Sequence, residues 1–179
     1  RDDPRGRTGL VGLGRTPQSV LLADSSGDEE IVLEQPLAPG TAPARLFQGE
    51  DVSTFLHDPD SFLLIGALVD GGRRAILFDP ERQRRFNAAV KAFPGLEVSL
   101  VDYTSRFDRM VVFTDGKDDS GTYWLVDIAT RGAKVVGYAG KDIKAADVGP
   151  SRMFAFKASD GLQMDGVLTL PPGREAKNL

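Results

Sequence analysis

A repeated pattern of short apolar stretches, separated by turn-forming residues, most constrains the fold of this sequence. One apolar stretch over 62–69 is followed by an Asp-Gly-Gly turn and a second stretch over 75–78. Stretches over 110–114 and 123–126 flank another turn rich in Asp and Gly, and a similar unit occupies 19–34. Gly and Asp suit tight turns because they tolerate positive φ or bond to their own backbone. The pattern therefore predicts strand–turn–strand hairpins.

Two of these units share a spacing. Phe62 and Met110 are 48 residues apart, and Asp79 and Asp127 are also 48 residues apart. A strand–turn–strand unit that recurs at about this period is typical of propeller blades with four strands. We therefore expect a mainly β chain that forms a partial β-propeller of about three four-stranded blades.

The strand predictions give a domain plan for the chain. A β-propeller segment is predicted over 1–150, and a hairpin and linker over 151–179. The propeller segment is expected to contain blade-like units near 18–50, 52–80 and 96–138. Within the last unit, strands are predicted near Leu96–Tyr103, Met110–Thr114, Thr122–Ile128 and Lys134–Tyr138.

One segment near 80–93 departs from the β pattern and predicts an inserted helix. Asp79 is suited to the N-cap, Pro80 to the first helical position, and Pro94 to the stop. Apolar side chains recur at helical spacing and predict a buried face, which consists of Phe86, Ala89, Val90 and Phe93. The basic side chains are expected mostly on the solvent side; they are Arg82, Arg84, Arg85 and Lys91.

The composition limits the classes of function. The chain has 179 residues, is 41% hydrophobic and 27% charged, and carries a net charge of −4. Its charges are interspersed, which argues against a nucleic-acid surface, and no apolar run is long enough to span a membrane. Because there is no cysteine, disulfides and thiolate metal sites are excluded. No cofactor is predicted. The sequence opens in a polar stretch without Met, so we expect a piece of a longer protein whose compartment, cytoplasmic or periplasmic/secreted, is not predicted.

The last hairpin carries a resemblance to a known family. A strand over 152–158, the turn Ser159-Asp-Gly161 and a strand over 162–170 lead to Pro171-Pro-Gly173. This stretch resembles the junction at which members of the prolyl oligopeptidase family of serine peptidases pass from propeller to α/β-hydrolase domain, especially the acylaminoacyl-peptidase and dipeptidyl-aminopeptidase branches. The tail Ala176–Leu179 resembles the lead into the first core strand of the hydrolase sheet. The matching positions are Asp160, Gly161, Gly166, Leu168, Thr169, Leu170 and Pro171.

The resemblance implies a non-catalytic role for this segment. In the family, a Ser-Asp-His triad lies on the hydrolase domain, and the propeller caps the active site and excludes large folded substrates. The expected partners are the protein's own C-terminal α/β-hydrolase domain and short peptide substrates. No catalytic residue is assigned here, because the nearest approach to a nucleophile elbow, Gly149 to Met153, lacks the second glycine.

Some residues nevertheless permit a chemical interpretation. His57, the sole histidine, has Asp58 and Asp60 beside it, and a hydrolase would need a nucleophile within reach of such a base. We interpret this segment instead as a polar turn that opens the strand at Phe62. Asp102 and Asp108 are too far apart in sequence to be judged as an acid pair.

Two loops can be compared with ligand-binding motifs. Asp115, Lys117, Asp118 and Asp119 share one loop, but the sixth and twelfth positions of a calcium loop are not met. The glycines over 9–14 lack the third glycine and the following helix of a dinucleotide fingerprint. No metal site and no cofactor site are therefore predicted, and the aromatic group Phe113, Tyr123 and Trp124 is interpreted as core packing.

Two alternatives and one consequence remain. The chain is alternatively a free-standing β-rich domain that binds proteins or serves as a scaffold, without enzymatic activity. A hydrolase built around His57 is a third, weaker hypothesis. If the propeller is partial, its open sheet edges invite pairing with another chain, so self-association is also predicted.

Overall fold

The computed structural model describes residues 8–25, 31–116, 119–143 and 145–173. Within these ranges the chain is mainly β, with a single α-helix and four antiparallel sheets, none of which closes on itself. The chain divides into two compact units. Unit 1 comprises Arg1–Ala88 and Tyr103–Arg109, and unit 2 comprises Ala89–Asp102 and Met110–Leu179. Three parts of the predicted features lie outside the described residues: residues 26–30 in the middle of the unit over 19–34, Lys117 with Asp118, and the tail Ala176–Leu179.

Unit 1 begins with a four-stranded sheet in which neighbours in sequence are neighbours in space, in the order β1-β2-β3-β4. Its inward side chains alternate with outward ones, as a half-buried sheet requires. Leu21 and Val32 are buried on one face and pack with Leu64 in a small core cluster. The strands are β1 (Thr8–Leu13), β2 (Ser19–Asp24), β3 (Ile31–Pro36) and β4 (Ala44–Leu46).

The second sheet of unit 1 has three strands, β5 (Val52–His57), β6 (Leu64–Val69) and β7 (Arg74–Leu77). Every residue of the central strand β6 is buried, which explains its uninterrupted apolar sequence. Four-stranded blades were expected, and here the sequence continues after β7 into the helix instead of a fourth strand.

Helix α1 (Pro80–Lys91) follows β7 at once. The predicted helix is confirmed, and Asp79 caps it, because its Oδ1 accepts a hydrogen bond from the Arg82 backbone N–H at 2.7 Å. The Gln83 side chain turns back and its Oε1 accepts the backbone N–H of Leu77 at 2.8 Å. That N–H belongs to the outer strand β7, so a helical side chain takes the place of a neighbouring strand's carbonyl.

The predicted helix faces are partly confirmed. Phe86, Ala89 and Phe93 are buried, whereas Val90 is only partly so. The expectation that the basic side chains mostly face water needs a correction for Arg82 and Arg85. Both are largely covered, because Arg82 binds Asp58 and Arg85 binds the carbonyl of Arg106.

Unit 2 contains a four-stranded sheet in the order β11-β10-β9-β8. All four predicted strands are present, as β8 (Leu96–Tyr103), β9 (Arg109–Gly116), β10 (Asp119–Asp127) and β11 (Gly132–Tyr138). The ends of β8 and β9, Tyr103 and Arg109, belong to unit 1. The apolar side chains that alternate along these strands are buried; they are Val98, Leu100, Met110, Val112 and Val126.

A separate two-stranded sheet ends the described part of unit 2. It consists of β12 (Ser151–Lys157) and β13 (Gln163–Thr169), which pair over seven consecutive positions. The predicted hairpin is thus confirmed. A short 3-10 turn over Ala145–Asp147 precedes it.

One strand begins later than predicted. The sequence suggested that an apolar strand starts at Phe62, but Phe62 is 67% exposed and adopts φ of 59°. Its backbone N–H bonds to the Asp58 carbonyl and closes a turn. The proposed correspondence between Phe62 and the fully buried Met110 therefore does not hold in environment, whereas Leu64 and Val112 are both buried.

Candidate functional site

Unit 1 contains two buried carboxylates, Glu34 and Asp58, and a small cavity. The cavity has a volume of about 260 Å³ and is lined by Arg15, Asp58, Ser61, Phe78 and Arg82 among others. Asp58 lines this cavity and is itself buried, so the residues around it are candidates for a chemical site.

The first carboxylate, Glu34, lies on β3 and is 6% exposed. Its Oε1 accepts hydrogen bonds from the Arg15 backbone N–H and from the Ser19 hydroxyl, both at 2.7 Å. Its Oε2 accepts the Arg15 side chain at 2.7 Å. Burial raises the pKa of this carboxyl, but the hydrogen bonds from Ser19 and Arg15 outweigh burial and lower the pKa overall. The ionised form of Glu34 is therefore favoured, and both of its oxygens accept hydrogen bonds.

The turn that carries Arg15 is built around a glycine. A Cβ on Gly14 would come within 2.3 Å of the Ser19 hydroxyl oxygen, so only glycine fits against Ser19 and Glu34. The glycines over 9–14, which we compared with a phosphate-binding loop, lie in strand β1 and in this turn. Gly12 and Gly14 allow the backbone to pack closely against neighbouring side chains.

The second carboxylate, Asp58, is 7% exposed and lies in the turn between β5 and β6. Its Oδ1 accepts the backbone N–H groups of Asp60 and Ser61, each at 3.1 Å, and its Oδ2 accepts Arg82 at 2.9 Å. Burial raises the pKa of Asp58, and the hydrogen bonds from Ser61 and Asp60 together with Arg82 lower it further than burial raises it. This carboxylate ties the turn to helix α1.

His57 adjoins this turn, yet the hydrogen bonds that Asp58 accepts come from Asp60, Ser61 and Arg82 rather than from its imidazole. Within the described residues the buried Nε2 atom of His57 has no hydrogen-bond partner. A Cβ on Gly12 would lie 3.2 Å from that nitrogen, so the ring packs under the β1 backbone. Burial lowers the pKa of His57, which favours the neutral imidazole. The predicted polar turn is present, and no nucleophile or acid among the described residues forms a hydrogen bond with Nε2 of the ring.

The hydroxyls near the two carboxylates lack the features of a nucleophile. Ser19 is 4% exposed and donates its proton to Glu34, so a substrate has no path to it. Ser61 donates to Asp58 at 3.2 Å, and the same carboxylate is held ionised by Arg82. A nucleophile needs a general base that is free to take its proton. The cluster therefore serves to hold the turns together.

The loop that we compared with a calcium site is organised by Asp119. Its Oδ1 accepts the Gly121 N–H at 3.0 Å and the Thr122 hydroxyl at 2.7 Å, and its Oδ2 accepts the Thr114 hydroxyl. Thr114 in turn accepts the indole N–H of Trp124 at 2.9 Å. Among the described residues, no group of three or more potential ligands is placed to hold a metal ion.

The remaining candidates are the aromatic group, Asp108 and the segment from Gly149 to Met153, and each makes contacts that support the fold. Phe113 and Tyr123 contact each other at 4.9 Å between ring centroids, and Phe93 contacts Trp124 at 5.2 Å. Asp108 is only partly exposed; a hydrogen bond from Thr104, together with Arg106, lowers its pKa. The segment Gly149 to Met153 enters strand β12, without the strand-to-helix turn of a nucleophile elbow.

Sequence reasoning missed the two ion pairs. Nothing in the local pattern joins Arg15 to Glu34 or Asp58 to Arg82, because these pairs are 19 and 24 residues apart. The only available signal was a charged residue, Glu34, at an inward position of an alternating strand.

The comparisons with known proteins add no assignment. The chain matched no protein-family model and no curated protein. In the described ranges, no helix has both the length and the apolar character needed to cross a bilayer.

Proposed function

We propose that this chain is a non-catalytic β-propeller segment of a serine peptidase that resembles the prolyl oligopeptidase family. In this proposal it gates the access of short peptides to a Ser-Asp-His site on a downstream α/β-hydrolase domain. The observation that supports it most directly is the succession of a four-stranded sheet, β8 to β11, and a separate hairpin at the residues that resemble the family's junction.

The architecture supports the propeller part of the proposal. In a blade, four strands follow one another antiparallel, so that sequence order equals spatial order. The sheets β1 to β4 and β8 to β11 have this order. The three-stranded sheet β5 to β7, with its outer edge capped by Gln83, is then a blade in which helix α1 replaces the fourth strand.

The site geometry supports the non-catalytic part. The buried carboxylates Glu34 and Asp58 are held by arginines, and the partnerless nitrogen of His57 is sealed under Gly12. Among these groups, no free base lies within reach of an accessible nucleophile. A catalytic triad for the parent protein would therefore be supplied by other residues.

The experiment that tests this proposal compares the chain with its parent polypeptide. A fluorophosphonate probe should leave the 179-residue chain unlabelled and should label the parent protein at a serine in a Gly-x-Ser-x-Gly segment after Leu179. The coding sequence beyond Leu179 should also supply an Asp and a His later in the chain. A parent protein with no such elbow, or with no probe-reactive serine, overturns the proposal.

A second candidate is a free-standing protein-binding or scaffold domain. The observation that favours it is the exposure of large apolar side chains on the hairpin β12–β13, such as Met153, Phe154 and Val167. Under this alternative the hairpin binds another protein. The probe experiment separates the two candidates, because only the peptidase proposal requires a reactive serine in the parent protein.

A further inference from the structure

The open edges of the blade-like sheets carry features that oppose pairing with another chain. Edge strands are commonly guarded by bulges, charges, short length or a covering side chain. An extra residue interrupts the ladder of the edge strands β1, β5 and β11, at Val11, Ser53 and Val136. Strand β4 has three residues, and Gln83 occupies the backbone N–H of Leu77 in β7. These edges are poor templates for a second chain.

Strand β8 is guarded by charge. It carries Glu97 and Asp102 and no basic residue, so two copies of β8 that paired would bring four carboxylates onto one ladder. Charged side chains on an edge strand oppose pairing with another chain.

The hairpin β12–β13 lacks such guards. Its seven residue pairs run without a register shift, and both strands are edges within the described residues. Nearly all of its residues are exposed. A two-stranded hairpin is at best marginally stable in water, whereas three or more strands with an apolar face are stable. The hairpin therefore gains from additional strands.

The side chains of the hairpin divide into two faces, because directly opposed residues share a side. We call the side with Phe154, Phe156, Met164 and Leu168 the aromatic face. The rings of Phe154 and Phe156 stack at 5.4 Å, and Gly166 leaves room for Phe154 across the pair. The other face carries most of the polar residues, together with Met153 and Val167.

We infer that a second copy of this chain pairs with β13, antiparallel and centred on Gly166. In this register Met164 of one copy lies opposite Leu168 of the other on the aromatic face. The only charge on β13, Asp165, lies opposite Val167, so no like charges meet. Strand β12 is the less suitable edge, because Arg152 and Lys157 would bring four cations onto one ladder. The product is a four-stranded sheet with two-fold symmetry.

Position 167 offers a test of this register. Val167→Asp places an acid opposite Asp165 of the other copy, twice per dimer, whereas Val167→Lys places a base there. We expect the wild-type chain to dimerise, and we expect the dissociation constant of V167D to exceed that of V167K by on the order of tenfold. Sedimentation equilibrium over a range of concentrations measures both, and circular dichroism checks that both variants fold alike.

The matched control is Met153, which is as exposed as Val167 and lies opposite it within one chain, on strand β12. Met153→Asp and Met153→Lys should differ little in dissociation constant, since position 153 does not face the second copy. A rescue follows as well: Asp165→Lys combined with Val167→Asp should dimerise again. A wild-type chain that stays monomeric, equal constants for V167D and V167K, or growth into ever larger oligomers each overturns the inference.

Discussion

The hairpins β9–β10 and β12–β13 look alike in sequence but differ in their surroundings. Both consist of apolar stretches that flank a turn with Asp and Gly. In β9 every second residue is buried, with Met110 at 1% and Val112 at 0% exposure, whereas in β12 all seven residues are exposed. The difference teaches that an apolar strand pattern predicts the strand, while burial depends on whether other strands cover it.

The largest expected effect comes from truncating equivalent methionines in the two hairpins. Met110→Ala leaves a cavity in the core of unit 2 and should lower the free energy of unfolding by about 2–5 kcal/mol. Met153→Ala, at a position that is 68% exposed, should change it by less than about 0.5 kcal/mol. Urea denaturation followed by Trp124 fluorescence measures both. Equal losses would mean that the hairpin is packed as tightly as the sheet.

A glycine within strand β10 provides the next test. Gly121 has φ of 112°, and a Cβ there would lie 2.8 Å from Ala139 and Phe113, so Gly121→Ala should cost about 1–3 kcal/mol. In the hairpin, a Cβ on Gly166 would meet the ring of Phe154 at 2.9 Å, but that ring is half-exposed and can turn away. Gly166→Ala should therefore cost less than Gly121→Ala in the same denaturation experiment. A larger loss of stability in Gly166→Ala than in Gly121→Ala would contradict the view that the surroundings of Gly121 are the less able to adjust.

Removing a buried hydroxyl should lower the free energy of unfolding more than removing an exposed one. Thr114 is fully buried and links Asp119 to the Trp124 indole, so Thr114→Val removes the hydrogen bonds of the Asp119 Oδ2 and of the indole N–H and should cost about 1–3 kcal/mol. Ser151→Ala removes an exposed hydroxyl pair with Thr169 and should change stability by less than about 0.5 kcal/mol. The emission of Trp124 should also shift in T114V. An unshifted emission would indicate that the indole does not depend on Thr114.

A pH titration is expected to show the smallest effect on the free energy of unfolding, because it concerns a single partly buried imidazole, that of His57. Burial lowers the pKa of His57, so below about pH 6.5 the unfolded chain binds a proton that the folded chain does not. Stability should be highest above that pH and should fall as the pH drops towards the folded pKa.

The control for this titration is His57→Gln, which removes the sole histidine. The slope of stability against pH between about 7 and 5 should flatten in this variant. Glu34 and Asp58 have lowered pKa values, so their contribution is lost at more acidic pH, as each carboxylate becomes protonated in the folded chain. A slope that persists unchanged in H57Q would assign it to other groups.

Much of the β architecture could be predicted from local pattern. The strands β8 to β11 and helix α1 were predictable because alternation, N-cap and proline signals lie within the segments themselves. The start of β6 was misplaced because Phe62 looks like a strand residue, while the Asp58 turn draws it into the left-handed region. The second sheet has three strands because the chain passes from β7 into α1, and the bond from Leu77 to the Gln83 side chain at its outer edge is not encoded in the apolar pattern.

The candidate site was less predictable than the fold. The ion pairs Arg15–Glu34 and Asp58–Arg82 join positions distant in sequence, and no local pattern encodes such pairs. His57 was correctly placed beside a polar turn, yet the missing partner of its Nε2 depends on the β1 backbone at Gly12. Distances between elements decide chemistry here, and the sequence alone does not supply them.

The bond from Gln83 to Leu77 has a consequence for misfolding. Any strand that added to the outer edge of β7 would compete with Gln83 for the backbone N–H of Leu77. Rotation of the Gln83 side chain is enough to release that N–H, so the bond weakens this edge as a template for a fibril or a domain swap without closing it.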